Sequence, residues 1–181
     1  MSSLRGKLLI ASPALLDPNF ARSVVLIAEH TVEGAMGLVL NRPSDQEVAG
    51  SVDELAEVVA AGDLVYEGGP VQPAAVMVLA EFNDPRASAA IVLGDVGFLP
   101  AEGTPELLSD GLRRARVFAG HSGWGAGQLD AELEEDSWLV VEAHIDDIFA
   151  PDPDELWSEA LERKGGAFAQ LGRMPDDPSV N

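Results

Sequence analysis

The sequence predicts a single α+β domain with a mainly antiparallel sheet, and three observations support this fold class. The chain has 181 residues, of which 46% are hydrophobic, and this is enough to bury one sizeable core. The predicted strands come in runs and pairs instead of alternating strictly with helices, as they would in a doubly wound fold. We find no internal repeat and no linker, so residues 1–181 are assigned to one domain.

The first part of the chain is predicted to be rich in strands. Buried strands are expected at Lys7–Ala11 and at 23–30, with a turn at Asp17-Pro18-Asn19 between them. A turn at 32–34 then leads to a third apolar run at 35–40. The second and third strands are therefore expected to form an antiparallel hairpin.

Helices are predicted where capping signals occur. Ser51, with Glu54 at the capping-box position, predicts a helix that ends near Gly62, and Thr104 followed by Pro105 starts a second one. Further strands are predicted at 64–66, 75–82, 89–93, 116–119 and 138–143, and further helices at 128–135 and 154–164. Residues 174–181, MPDDPSVN, are expected to form a flexible tail.

The charge balance argues against direct binding to nucleic acid. The chain carries 11 basic and 31 acidic residues, a formal net charge of −20, whereas nucleic-acid binding usually neutralises phosphates with clustered Lys and Arg. The densest basic group is Arg113, Arg114 and Arg116, which we assign to a solvated helix end. The C-terminal third is also strongly acidic, so it would repel nucleic acids and anionic lipids.

The absence of cysteine limits the cellular compartment that we expect and the kinds of catalytic or metal site that the chain can form. A chain without cysteine has no disulfide, no thiolate metal site and no cysteine nucleophile, and it fits a reducing cytosol. The basic start is followed by LLIA, which is too short for a signal peptide, and by Pro13. No apolar stretch approaches the ~18 residues of a membrane span. We expect a cytoplasmic protein with no membrane segment.

The most distinctive segment is GHSGWGAGQLDAEL at residues 120–133. Glycines between a strand and a helix can direct amides at a phosphate. However, the spacing of the four glycines from Gly120 to Gly127 matches neither the dinucleotide fingerprint nor the Walker pattern. We favour a tight strand-to-helix turn in which Trp124 fills the core.

The same segment also begins like the nucleophile elbow of a hydrolase. Gly120-His121-Ser122-Gly123 has the right start, but Trp124 stands where the second glycine belongs. A triad would also need His144 and a nearby acid such as Asp130 or Asp136 within a short span. We therefore expect Ser122 to be a turn hydroxyl or a helix cap.

The histidines do not indicate a metal site. His30, His121 and His144 show no paired ligand spacing, although Glu142 and His144 would share one strand face. Asp152 and Asp154 fail the calcium-loop pattern and are expected to start the last helix. We expect no metal and no cofactor.

A second candidate site lies at the end of the predicted hairpin. The amide of Asn41 and the guanidinium of Arg42 could hold a carboxylate or a phosphate. Alternatively, Asn41 satisfies backbone groups of the turn, and Arg42 pairs with one of the many acids. Gly68-Gly69 has the same two interpretations, as a source of amides or as a turn.

Four blocks of sequence, taken in order, resemble the bacterial YqgE/AlgH family. They are GKLLIASPALLDPNFARSVVLIAEH, GAMGLVLNRP, VYEGGPV and RVFAGHSGWGAGQLDAEL, with Trp138 and Trp157 downstream. The resemblance covers nearly the whole chain. Two positions depart from the family pattern: His121 stands where an aromatic residue, usually tyrosine, is expected, and Asp130 where glutamate is expected.

The resemblance implies one α+β domain with a coiled, partly barrel-like sheet surrounded by helices. Members of the family are often labelled transcriptional regulators, without an established biochemical activity. We expect a non-enzymatic binding or regulatory protein for a small-molecule anion or a protein partner. The predicted ligand-binding residues, from three loops that should converge on one concave surface, are Asn41, Arg42, Gly68, Gly69, His121, Trp124 and Gln128. The alternative is a hydrolase or other enzyme that uses the Gly120-to-Gln128 loop with Asn41 and Arg42.

Overall fold

The computed structural model describes residues 3–51, 55, 59, 62–100 and 110–166. This part of the chain contains ten strands and four α-helices. The strands are β1 (Lys7–Ala11), β2 (Val24–Thr31), β3 (Gly34–Val39), β4 (Pro43–Glu47), β5 (Leu64–Glu67), β6 (Val71–Phe82), β7 (Ala90–Leu93), β8 (Val96–Phe98), β9 (Leu112–Gly125) and β10 (Trp138–Glu142). The helices are α1 (Val48–Ser51), α2 (Gln128–Glu134), α3 (Ile145–Ile148) and α4 (Pro153–Lys164). A short 3₁₀ turn at Pro85–Ala87 separates β6 from β7.

The strands form one mostly antiparallel sheet. Its hydrogen-bonded order is β10-β1-β2-β3-β9-β6-β8-β7, and β5 branches from β9 in parallel and pairs with β4. This order has two ends, β10 and β7, so the described strands do not close into a ring. The α+β class and the antiparallel character are confirmed, whereas the partly barrel-like closure implied by the family resemblance is not.

The central strands are buried on both faces, which explains their continuous apolar runs. Leu8 and Ile10 of β1 belong to the same core as Leu156 and Trp157 of α4. The alternate residues, such as Leu9, point to the opposite face and join a second core with Trp124, Leu129 and Trp138. The sheet therefore lies between α4 on one face and α2 on the other.

Most of the predicted elements are present. The hairpin of β2 and β3 is antiparallel, and α2, β10 and α4 lie within a residue of their predicted bounds. The carboxylate of Asp152 accepts a hydrogen bond from the Asp154 amide, so the predicted start of the last helix is confirmed. Three predicted segments lie wholly or mostly outside the described residues. They are the helix from Ser51, the helix at Thr104 and the tail at 174–181.

The main correction concerns β9, which is far longer than the predicted 116–119. It extends through the glycine segment to Gly125, so that segment is a strand up to Gly125 and the helix begins after Gly127. Pairing of Ser122–Gly125 with the glycine-containing start of β3 supplies partners that local sequence does not reveal. The three arginines at 113–116 also lie on β9, so their assignment to a helix end is wrong. Strands β4 and β8 and helices α1 and α3 were also not predicted, and Ser51, expected as an N-cap, is instead the last residue of α1.

Within the described residues, no helix has both the length and the apolar character required to span a membrane.

Candidate functional site

A cleft of about 490 Å³ opens beside Arg42, and we call it the Arg42 cleft. Residues of β4 and β5 line one part of it, and the rest is lined by the turn at Gly69-Pro70, by Asn19 and by single residues of β3, β6 and β9. The residues that line it are Asn19, Val39, Arg42, Ser44, Asp45, Gln46, Val65, Glu67, Gly69, Pro70, Pro73 and Ala119. The cleft thus brings together two of the predicted sites, Arg42 and the Gly68-Gly69 turn.

The guanidinium of Arg42 is held in the wall of this cleft by backbone carbonyls. Its Nη1 donates to the Asn19 carbonyl, and its Nη2 donates to the Ala21 carbonyl at 2.9 Å. Burial lowers the pKa of Arg42, and the charges of Glu67 and Asp17 oppose that shift. Arginine stays protonated at neutral pH and has further N–H donors, so a ligand oxygen could still bind this group.

Asn41 serves the backbone of the turn instead of the cleft. Its Oδ1 accepts a hydrogen bond from the Val24 amide at 3.0 Å, and its Nδ2 donates to the Arg22 carbonyl at 2.9 Å. Both ends of the amide side chain are therefore engaged where β2 begins and β3 ends. This arrangement corresponds to the structural alternative for Asn41 that the sequence left open.

The two glycines at 68 and 69 let three pieces of backbone approach closely. The Gly68 amide donates to the Ala119 carbonyl, and the Gly68 carbonyl accepts from the Val39 amide, both at 2.9 Å. A side chain at Gly69 would lie well inside 3.0 Å of the His121 and Ser122 backbone, and its φ is +154°. Glycine is thus required sterically at this turn, whether or not it contacts a ligand.

Ser122 is not placed as a nucleophile. It lies inside β9 with no exposed surface, and its Oγ donates to the Gly68 carbonyl at 3.1 Å. A nucleophile elbow requires an exposed hydroxyl on a sharp strand-to-helix turn, so the elbow interpretation is contradicted. The expectation that Ser122 itself lies in a turn or caps a helix is also wrong, because Ser122 lies within β9 and its hydroxyl donates to a carbonyl of the turn after β5. Its neighbour His121 has a buried Nδ1 that finds no hydrogen-bond partner within the described ranges.

Trp124 and Gln128 belong to a cluster on the other core, which we call the Glu132 cluster. The Glu132 carboxylate accepts hydrogen bonds from Trp124 Nε1 at 3.1 Å, Trp138 Nε1 at 3.0 Å and Gln128 Nε2 at 2.9 Å. Trp124 also stacks on Phe20, with ring centroids 6.3 Å apart. The expected core position of Trp124 is confirmed by an exposed fraction of 6%.

The three predicted loops therefore do not share one concave surface. Trp124 borders a separate shallow depression of about 220 Å³ beside Glu29, Thr31 and Glu33. Gln128 Oε1 accepts from the Gly125 amide at 3.0 Å, which fixes the start of α2. Of the predicted ligand-binding residues, Arg42 and Gly69 line the Arg42 cleft.

The acidic residues near His144 have structural partners. His144 precedes α3 as its N-cap instead of continuing the strand, so Glu142 and His144 do not share a strand face. Asp147 is buried and pairs with Arg163 through two hydrogen bonds of 2.8 and 2.9 Å. Among the described residues, no group of three or more His, Asp or Glu side chains could hold a metal ion.

A larger cavity of about 650 Å³ was missed by the sequence analysis, and we call it the mouth cavity. Residues of β2, β3, β6, β7 and β8 form most of its lining. The lining residues are Arg5, Ala28, Glu29, Met36, Val76, Met77, Val78, Ala90, Phe98, Leu99 and Pro100. Most of them are ordinary apolar residues far apart in sequence, so no local pattern identifies them as one surface.

Comparisons with known proteins place the chain among bacterial relatives of the same length. Residues 8–169 match a family model described as AlgH-like. The UPF0301 proteins of Streptomyces coelicolor and Streptomyces avermitilis are each 41% identical over 187 residues, covering 100% of this chain and 97% of the relative.

Two solved structures share the fold over almost the whole chain. A crystal structure of a Corynebacterium diphtheriae protein has a TM-score of 0.88 at 26% identity, covering 96% of this chain and 94% of the other. The solution structure of the AlgH protein from Pseudomonas aeruginosa has a TM-score of 0.72 at 32% identity, covering 97% of each chain.

Proposed function

The chain belongs to the AlgH-like family, as its four sequence blocks indicated, and we propose that it is a non-enzymatic binding protein with its ligand site in the Arg42 cleft. The observation that carries this proposal is the position of Arg42. Its guanidinium lies in the wall of a cleft of about 490 Å³, fixed by two backbone carbonyls. A fixed guanidinium is pre-organised for an anionic group, since little side-chain freedom remains to be lost on binding.

The acidic groups of the cleft narrow the chemistry of the ligand. Glu67 and Asp45 line the same space, and Glu67 lies close enough to affect the pKa of Arg42. A bare anion would be repelled by these carboxylates. The proposed ligand is therefore a small molecule with an anionic group for Arg42 and hydroxyl or amine donors for Glu67 and Asp45.

Binding is favoured over catalysis and over direct contact with nucleic acid. The hydroxyl that resembled a nucleophile, Ser122 Oγ, is fully buried and occupied by the Gly68 carbonyl. The net charge of −20 opposes contact with phosphate backbones. A regulatory role would then act through the ligand or through a protein partner in the cytoplasm.

The proposal is tested by thermal shift against a library of small hydroxy acids, amino acids and sugar phosphates. Ligand at about 100 times its dissociation constant stabilises the native state by about 2.7 kcal/mol, which raises the melting temperature measurably. Arg42→Gln and Glu67→Gln should each weaken a true hit. Glu67 is exposed, and its side chain makes no hydrogen bond to the backbone of the described residues, so Glu67→Gln tests the cleft without the risk of misfolding that Arg42→Gln carries.

The control is Arg86→Gln, which removes an exposed arginine that pairs only locally, with Asp84. A ligand whose affinity is unchanged in both cleft variants would contradict the proposal. Turnover of a hit that survives in Arg42→Gln would point instead to an enzyme with a different site.

A further inference from the structure

We propose that the mouth cavity is a second binding site, separate from the Arg42 cleft, and that it takes a short apolar peptide with free, charged ends. The cavity measures about 650 Å³, which lies within the range of small-ligand pockets. None of its lining residues lines the Arg42 cleft. The two sites can therefore be tested independently.

The walls of the cavity select apolar side chains. Met36, Met77 and Phe98 are half-buried, and Val76 leaves 53% of its surface exposed. An apolar side chain left this open on a strand gains by being covered. The two methionines can adjust to ligands of different shapes, because their side chains are unbranched and flexible.

The rim supplies one charge of each sign. Arg5 and Glu29 are the ionisable side chains among the lining residues, and no ion pair found in the described part of the chain involves either of them. Arg5 donates to the Ile91 carbonyl, which leaves other N–H donors of its guanidinium. Glu29 is exposed next to an irregularity in the pairing of β2 with β3, and such bulges redirect side chains.

These two charges favour a zwitterion over a molecule with a single charge. A ligand with only a carboxylate would pair with Arg5 but be repelled by Glu29. A ligand with only an ammonium group would pair with Glu29 but be repelled by Arg5. A zwitterion with apolar side chains satisfies Arg5, Glu29 and the apolar walls together. This is the chemistry of a short peptide with a free amino group and a free carboxyl group.

The strand edge in the cavity also suits a peptide. On the side of β6 away from β9, β8 pairs with residues 79–81 and the Leu99 amide donates to the Val78 carbonyl, while within the described ranges no strand pairs with Val76 there. An extended peptide can add its backbone to such an edge while its side chains enter adjacent pockets.

The experiment compares leucyl-phenylalanine with its N-acetylated and C-amidated forms, by isothermal titration on the full chain. We expect each capped form to bind about threefold to fivefold more weakly to the unaltered protein, the size of effect typical of partly exposed ion pairs. Glu29→Gln should remove the penalty of N-acetylation alone, and Arg5→Gln the penalty of amidation alone, as in a double-mutant cycle.

Two controls keep the test specific. Glu134→Gln neutralises an exposed acid on α2, away from the cavity, and should leave all three affinities unchanged. Arg42→Gln should also leave them unchanged, so failure of the Arg42 proposal would not affect this one. Equal binding of the free and capped peptides would overturn the proposal, as would the absence of binding by all three.

Discussion

The Glu132 cluster should stabilise the fold more than any exposed acid of the same helix. Glu132→Ala removes the acceptor for two indole N–H groups, on Trp124 and Trp138, which are 6% and 3% exposed. A buried donor left without a partner costs about 1–3 kcal/mol. Two such donors give an expected loss of about 2–6 kcal/mol in the free energy of unfolding.

The matched control lies on the same helix. Glu134 is exposed on α2, so Glu134→Ala should change stability by less than about 0.5 kcal/mol. Glu132→Gln should fall between the two, because its amide oxygen can still accept from both indoles, as Oε1 does, while its NH₂ group cannot accept from Gln128 Nε2.

The assay is urea unfolding monitored by tryptophan fluorescence. The dependence of the unfolding free energy on urea concentration is compared between variants. Two of the three tryptophans of the chain lie in the cluster, so the signal reports on its surroundings directly. Equal unfolding free energies for Glu132→Ala and Glu134→Ala would refute the assignment of the cluster as a major source of stability.

Two further predictions concern a glycine and the tyrosine of the chain. Gly69→Ala should destabilise the protein by more than about 2 kcal/mol in urea unfolding, because its Cβ would collide with the His121 backbone. Gly127 also has a positive φ, +75° against +154° at Gly69, but has open space around it, so Gly127→Ala should cost only about 1–2 kcal/mol; equal losses would contradict the predicted collision at Gly69. For Tyr66, burial raises the pKa of the phenol, and the nearby Arg116 partly opposes this. The stability due to this shift is fully present below the unfolded pKa of about 10 and is lost as the pH rises through the folded pKa. Tyr66 is the one tyrosine of the chain, so the absorbance of its phenolate can be followed alone. A titration midpoint of the folded protein at or below about pH 10 would contradict the prediction. The same loss of stability at alkaline pH in Tyr66→Phe would contradict it as well.

The elements predicted correctly are those whose burial is visible in local sequence. The runs that form β1 and β2 are apolar on both faces because the sheet is covered on both faces, and no other element explains such runs as well. The last helix was found because its capping aspartate, its proline and its amphipathic pattern are all local signals.

The elements predicted wrongly depend on partners distant in the chain. The end of β9 consists mostly of glycine and small polar residues, which have low strand propensity. It becomes a strand because β3 and β6 lie on either side of it, and tertiary pairing outweighs local preference. Strand β8 has three residues, too few for a periodic pattern to appear.

The candidate site was predicted in part, for the same physical reason. Turn-forming residues mark Arg42 and Gly69 separately in the sequence, whereas their proximity depends on the pairing of β4 with β5, which local sequence does not reveal. The mouth cavity has no such mark, because its walls come from five strands whose apolar residues look like ordinary core positions. A cavity depends on how several strands are arranged together. The sequence of a single strand does not reveal that arrangement.

The glycines that first suggested a phosphate loop instead allow three strands to meet. Gly120 has a φ of +76° inside β9, at the point where the pairing of β6 with β9 shifts between Val71 and Val76. A side chain at Gly120 would collide with the Gly69 carbonyl, and one at Gly68 with the Gly120 carbonyl. Bulges of this kind bend a strand and change the direction of its neighbours. Since Gly69 lines the Arg42 cleft, this close approach of backbones contributes to the wall of the cleft proposed to bind the ligand.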